Sequence, residues 1–179
     1  ETIQRLRAGI QLEPIEIKTT PDRSTWGGLV VNMPTHLAID TAPWYIHEAS
    51  DTSITGVTLT QTVAPRSLEY QVTFTPKGGG SSTTVSVPCL TTTRPSAPGS
   101  GRMPRVDADI PEFAVEDPGL PCVWLPTERG TATIRALIVY DVSIHYRGRT
   151  RSEAPYLWTS EPYTVPVGEL RVVNVNGDE

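Results

Sequence analysis

The stretch Thr131–Arg151, TATIRALIVYDVSIHYRGRTR, carries the longest strand pattern in the chain. Successive side chains of a β-strand point to opposite faces of the sheet, so an apolar residue at every second position predicts one buried face. Such a row runs unbroken through Ala132, Ile134, Ala136, Ile138, Tyr140, Val142, Ile144 and Tyr146. The stretch therefore predicts a single long strand with its core side on this row.

The second row of the same strand has two apolar residues, Leu137 and Val139, in its middle, with charged residues and His145 around them. A dry patch with a charged rim is typical of a face covered by another element or another subunit. We therefore interpret His145 as a rim residue of an interface. At ~3.3 Å per residue the strand would span roughly 50 Å, so we expect a bend or bulge, at Asp141 or Ser143.

The rest of the chain indicates many short strands joined by turns, because 17 prolines and 14 glycines interrupt it and helical periodicity is almost absent. Segments 57–63, 68–74 and 83–90 alternate apolar and polar residues and predict an antiparallel meander of three strands. The predicted fold class is all-β, an antiparallel β-sandwich of about eight to ten strands with little or no helix. Jelly-roll-like and elaborated immunoglobulin-like arrangements both fit.

A length of 179 residues favours one domain, which we assign to residues 1–179. Residues 1–10 are interpreted as a linker from an upstream domain, since the chain begins at Glu1 instead of Met. Residues 91–105 are rich in Pro, Gly and Ser and predict a long surface loop.

The charge and hydropathy pattern limits the partners of the chain. A net charge of −5 argues against direct nucleic-acid binding, which requires clustered positive charge. The apolar runs are far shorter than the ~20 residues of a membrane span.

Cys89 and Cys122 occupy similar strand-like settings, VPCL and LPCVWL. One disulfide and two buried thiols are both consistent with these settings, because a free cysteine packs as a small apolar residue.

The sequence offers few groups for catalysis or metal binding. The three histidines have no metal-ligand spacing, and no nucleophile motif is present, so we expect no enzymatic activity. Asp107 and Asp109 lie two residues apart, so on an extended segment their carboxylates point to the same side, where hard cations such as Ca²⁺ find oxygen ligands. The alternative is a solvated acidic loop that pairs with nearby arginines.

Two tryptophans lie at loop edges and are candidates for an exposed binding platform. Trp26 precedes Gly27–Gly28, and Trp44 follows Pro43. Exposed aromatic rings bind sugars or act as hot spots in protein interfaces, whereas core packing is the alternative for each.

Taken together, a Thr/Pro/Ser-rich all-β chain with little lysine resembles a domain of the capsid proteins of small icosahedral RNA viruses of the tombus-, noda- and tetra-like kind. Segment 130–146, GTATIRALIVYDVSIHY, is similar to the long Tyr-containing strand late in such coat proteins. Segment 106–112, VDADIPE, is similar to their D-x-D calcium sites, so the resemblance implies Asp107 and Asp109 as ion ligands.

The resemblance implies the protruding surface domain, because the basic arm that packages RNA is lacking. Its implied partners are identical copies, as a homo-dimer or homo-trimer on the virion, and a host receptor. The alternative is a carbohydrate-binding or adhesion sandwich of a secreted or surface protein, located outside the cell. Its binding edge would include Trp26, Trp44 and the segment from Arg94 to Arg105.

Overall fold

The computed structural model describes residues 10, 12–40, 42–54, 56–94, 105–106 and 122–170. These residues are almost entirely β, with one four-residue helix, α1, and one 3₁₀ turn at Ala42–Trp44. Asp22 caps α1 (Arg23–Trp26), because its side chain accepts a hydrogen bond of 2.7 Å from the Ser24 N–H. The strands are β1 (Ile17–Thr20), β2 (Leu29–Val30), β3 (Thr35–Ile39), β4 (His47–Ile54), β5 (Val57–Pro76), β6 (Thr83–Arg94), β7 (Arg105–Val106), β8 (Val123–Trp124), β9 (Gly130–Tyr146), β10 (Arg149–Ser152), β11 (Tyr156–Thr159) and β12 (Tyr163–Gly168).

The strands form two sheets in a sandwich-like arrangement, which confirms the predicted all-β fold class. The larger sheet has nine strands along the path β2-β12-β9-β5-β6-β7, with β4 beside β5 and with β10 and β11 beside β9. The smaller sheet has the order β1-β3-β8. All described strand pairs are antiparallel except β12 with β2. The twelve strands exceed the eight to ten expected because β2, β7 and β8 have only two residues each.

The inner face of the larger sheet contains the alternating row predicted for β9. Side chains from Ala132 to Ile144 in this row are buried, and their neighbours on β5, including Tyr70 and Val72, are buried with them. Tyr146 departs from the prediction and is exposed, since it lies at the last pair of the ladder, opposite Leu59.

The expected bulge lies in the partner strand, so its assignment to Asp141 or Ser143 is wrong. The register of β5 against β9 shifts between Pro65 and Ser67, which leaves Arg66 as the additional residue. Proline lacks the N–H of a ladder hydrogen bond and is tolerated in a strand at such a bulge. Because the bulge lets Pro65 lie within a strand, segments 57–63 and 68–74 form the single strand β5. The prediction of two separate strands here is wrong.

The smaller sheet packs on the inner face and is tied to it through Cys122. A disulfide joins Cys122 to Cys89 on β6, which decides between the two alternatives left open by the sequence. The backbone of Cys122 donates its N–H to the Pro88 carbonyl (3.0 Å) and accepts from the Leu37 N–H on β3 (2.8 Å). The rings of Phe74 and Trp124 add a contact between the sheets, with centroids 6.0 Å apart.

Both ends of the predicted surface loop at residues 91–105 are strand in the structure. Strand β6 continues to Arg94 and β7 begins at Arg105, with Thr92 paired to Val106. Threonine favours the extended backbone, so the run Thr91–Thr93 continues the strand. Residues 95–104 lie outside the described part of the chain.

Removal of the disulfide is expected to lower the free energy of unfolding by about 3 to 4 kcal/mol, because the bond closes a loop with a sequence separation of 33 and restricts the unfolded chain. The measurement is urea denaturation of the oxidised chain, the reduced chain and the Cys89→Ala/Cys122→Ala variant. Reductant should leave the double variant unchanged. Equal midpoints for the oxidised and reduced chains would contradict the role assigned to this bond.

Candidate functional site

The outer face of the larger sheet has an apolar patch, which we define as Leu137, Val139 and Leu157. Leu137 and Val139 are half-buried, as their position in the second row of β9 predicted. Leu157 lies directly opposite Val139 on β11, and it is 54% exposed. Leu157 was not identified from the sequence as part of this face, because its place depends on the pairing of β11 with β9.

Four charged side chains lie around the outer apolar patch. Arg66 Nη1 donates to Asp141 Oδ1 across 3.1 Å, at the bulge next to Val139. Glu69 is paired with Leu137 and accepts a hydrogen bond of 3.2 Å from the Ser86 hydroxyl. Arg135 lies one step along the same row of β9. Two positive and two negative groups make this rim neutral, although the whole chain has a net charge of −5.

Hydroxyl pairs bound the outer apolar patch on both sides along the sheet. At one end Thr73 pairs with Thr84 (3.0 Å) and Thr133 with Thr164 (3.3 Å). At the other end Ser50 and Thr60 are 3.0 Å apart. The apolar surface is therefore confined to the middle of the outer face.

His145 lies on the same face but away from the outer apolar patch. It is exposed, and its Nδ1 is 3.1 Å from the Thr150 hydroxyl on β10. Six residues of strand separate His145 from Val139, which corresponds to about 20 Å. The structure therefore does not bring His145 next to Leu137 and Val139.

The two candidate tryptophans have different environments. Trp26, at the end of α1, is 46% exposed. Trp44 is only 1% exposed, which decides for the alternative of core packing at this position. The 3₁₀ turn that contains Trp44 places the ring in the core cluster, where it lines a small cavity together with Leu68 and Tyr70.

The proposed cation ligands Asp107 and Asp109 lie outside the described residues, and the Ca²⁺ site stays a prediction. Within the residues that the structure describes, no group of three or more His, Cys, Asp or Glu side chains is arranged to hold a metal ion.

The inner face contains a second feature that the sequence did not indicate. A cavity of about 700 Å³ opens beyond the smaller sheet and is lined by Gln61, Val63 and Val142 of the larger sheet. Tyr156 and Trp158 of β11 also line it, with ring centroids 6.1 Å apart. The alternation in the segment YLWT places these rings on the opposite face from Leu157, but the sequence does not indicate which face is open.

Two histidines are shielded from solvent, His36 as a buried residue and His47 as a half-buried one. Burial lowers the pKa of His36, and burial also lowers the pKa of His47, which the negative charge of Glu13 partly offsets. The Nε2 atoms of both rings lack a hydrogen-bond partner among the described residues. His47 packs edge-on against Tyr140, with centroids 6.4 Å apart.

Comparisons of this chain with protein-family models, curated proteins and solved structures find no match. Among the described elements, none is a helix of the length and hydropathy needed to span a membrane.

Acidification is expected to destabilise the fold through His36, which is buried, and His47, which is half-buried. Their folded-state pKa values lie below the ordinary value of 6.5, so the unfolded chain binds more protons and stability is lost as the pH falls below that value. Urea midpoints measured between pH 7.5 and 5.5 should decrease, and the decrease should be smaller in His47→Phe, which keeps a ring against Tyr140.

His145→Gln is the matched control, since this histidine is exposed. It should retain the full pH dependence of the unmodified chain. A midpoint that is constant over this range, or a dependence removed by His145→Gln, would contradict the assignment to His36 and His47.

Proposed function

We propose that this chain is a structural domain that associates with copies of itself through the outer apolar patch, as the protruding surface domain of a small icosahedral RNA-virus capsid protein does. One observation carries the proposal: a leucine that is 54% exposed lies beside two half-buried apolar residues in the middle of a polar sheet face. Apolar surface of this kind is typical of a protein interface.

The charges around the outer apolar patch support a second copy of the same chain as the partner. In a two-fold interface the same surface meets itself, so each charge must find an opposite charge on the identical face. Arg66 at the bulge of β5 and Asp141 on the neighbouring strand β9 provide two such opposite charges, and Arg135 and Glu69 provide two more. Two copies of this chain repel each other because each has a net charge of −5. A contact surface whose own charges sum to zero adds nothing to that repulsion.

The size of the outer apolar patch indicates a weak contact for the isolated domain. A stable interface buries about 800 Å² on each partner, and three apolar side chains supply only part of that area. In a capsid many copies are held side by side, and a weak contact is strengthened by the high effective concentration. A dimer and a trimer both fit this role, and the role requires no catalytic group.

The disulfide supports a location in an oxidising environment, since such bonds persist outside the cell and on virion surfaces. An oxidising environment surrounds both a virion surface and a secreted protein, so the disulfide is consistent with either location.

The alternative function is a carbohydrate-binding or adhesion module. The exposed ring of Trp26 supports this function, whereas Trp44, the second ring expected in the binding platform, is buried. A glycan array separates the two functions: reproducible binding that is lost in Trp26→Ala, with the fold retained, would favour the adhesion module. Glycan binding that survives Trp26→Ala would instead indicate a receptor glycan that binds at another place on the domain.

Self-association is expected to depend on Leu157. The sedimentation coefficient of the unmodified chain should rise with concentration, and Leu157→Asp should weaken the association roughly ten-fold or more by placing a charge in the contact. Sedimentation velocity over a concentration series measures both. The mass of the largest species distinguishes a dimer from a trimer.

Leu170→Asp provides the matched control, because Leu170 is 53% exposed and lies away from the outer apolar patch, after β12. This variant should associate like the unmodified chain. The proposal fails if the unmodified chain stays monomeric at the highest concentration, or if the two variants lose association equally.

A further inference from the structure

The hairpin between β9 and β10 places a group of arginines at one end of the larger sheet. Tyr146 ends β9, Arg149 begins β10, and these two residues form the last pair of their ladder. Only Arg147 and Gly148 connect them, with φ angles of 44° and 73°. Two connecting residues with positive φ are typical of the tight type I′ turn, which suits the twist of paired strands. The backbone at the tip of the hairpin is therefore set by the register of the two strands.

Arg147 has a backbone conformation that arginine rarely adopts. Asn and Gly are favoured at the first position of a type I′ turn, because longer side chains meet steric strain in the left-handed region. Strained residues of this kind cluster at functional sites. The guanidinium carbon of Arg147 lies 5.3 Å from the centroid of the Tyr146 ring, a cation–π contact that holds the charge at the tip.

Two further arginines lie on the same face of the hairpin as the Tyr146 ring. Arg149 is directly opposite Tyr146, and Arg151 is opposite Ile144, two residues further along each strand. Side chains directly opposite each other in an antiparallel pair have Cβ atoms about 5 Å apart, so Arg147 and Arg149 are both neighbours of one ring. All three arginines are exposed.

Two of the three charges lack an acidic partner. Arg151 Nε is 3.2 Å from Glu153 Oε1, but Arg147 and Arg149 form no ion pair among the described residues. Segment 145–152, HYRGRTRS, contains no Asp or Glu, although the whole chain has a net charge of −5. The tip of the hairpin is therefore a local excess of positive charge.

Arginine side chains at this tip are suited to an anionic group with several oxygen atoms. A guanidinium group stays charged at every physiological pH, and its planar N–H groups donate paired hydrogen bonds to such oxygens. A sulfate ester, like a phosphate ester, has three terminal oxygens, so two guanidinium groups can bind it together. One guanidinium group already occupies both oxygens of a carboxylate. Two arginines thus favour the tetrahedral ester.

The number of unpaired arginines favours separated sulfate groups over a nucleic acid. A nucleic acid binds through many phosphate contacts made at once, and the negative charge of the rest of this chain opposes a continuous row of phosphates. A glycan built from neutral sugars can present single sulfate groups to the tip. The disulfide also supports a location outside the cell, where such glycans occur.

We propose that the tip of the β9–β10 hairpin binds sulfate ester groups of an extracellular glycan, with Arg147 and Arg149 donating hydrogen bonds to the sulfate oxygens. This site is separate from the surface for self-association. Seven residues of β9, or about 23 Å, lie between Tyr146 and Val139 of the outer apolar patch.

The test compares four hexamers: keratan sulfate hexasaccharide, the same hexasaccharide after desulfation, hyaluronan hexasaccharide, which carries carboxylates, and a thymidine hexanucleotide. NMR titration of the isotope-labelled full chain in about 0.15 M NaCl follows the backbone amides of Tyr146, Gly148 and Arg149. The sulfated hexasaccharide should bind roughly ten-fold or more tightly than each of the others and should shift these signals. An affinity that is unchanged by desulfation or matched by hyaluronan, or tighter binding of the hexanucleotide, would overturn the proposal.

Arg147→Asn separates binding from stability. Asparagine is favoured at this left-handed position, so the urea midpoint of the variant should equal or exceed that of the unmodified chain. Its affinity for the sulfated hexasaccharide should nevertheless fall roughly ten-fold, because one guanidinium group is lost. A variant that binds like the unmodified chain would refute the role of Arg147.

Arg149→Gln should weaken binding by a similar factor, and Lys77→Gln is its matched control. Lys77 is an exposed cation in the turn between β5 and β6, so its loss changes the net charge equally at another hairpin. The control should bind within about two-fold of the unmodified chain. Equal losses in the two variants would indicate a general effect of charge and would exclude a site at the β9–β10 hairpin.

The same titration of Leu157→Asp keeps this site distinct from self-association. The variant should bind the sulfated hexasaccharide like the unmodified chain, whether or not the unmodified chain forms oligomers. Trp26→Ala should also retain the binding, since Trp26 lies at the end of α1 and not in the hairpin. Loss of binding in either variant would contradict the assignment to Arg147 and Arg149.

Discussion

The pairing of β5 with β9 is the interaction on which the rest of the structure depends. These two strands form one ladder from Leu59↔Tyr146 to Pro76↔Gly130. Strands β4 and β6 bond to the other edge of β5, and β10, β11 and β12 bond to the other edge of β9. Because side chains alternate along every strand of a ladder, this one register decides which residues of all seven strands face the core.

The length of this ladder explains why the inner face has two parts. The strands of the smaller sheet have at most five residues, so that sheet covers only a portion of strands with 17 and 20 residues. The bulge at Arg66 lies where the covered portion meets the cavity, next to Tyr140. A bulge increases the local twist and bends the strand at this position.

Strand β11 contributes to both the outer apolar patch and the cavity of the inner face, because its residues alternate between the two faces of the sheet. Leu157 points outward to the patch for self-association, whereas Tyr156 and Trp158 point inward to the cavity. The two surfaces therefore share one short edge strand, which makes this strand the most informative place for mutations.

Local alternation was sufficient to predict the all-β class, the buried row of β9 and the outward position of Leu137 and Val139. The reason is that the two faces of a strand depend only on the pleat of the backbone, which repeats every two residues. The tertiary structure decided the features that depend on distant partners. Leu157 joined the patch because β11 pairs with β9, and Trp44 was buried because a 3₁₀ turn packs on the inner face. Pro65 was accommodated within a strand because β9 continues opposite it on both sides of the bulge, and Cys122 met Cys89 because the two sheets pack together. None of these contacts has a local pattern, since each joins residues that are far apart in the chain.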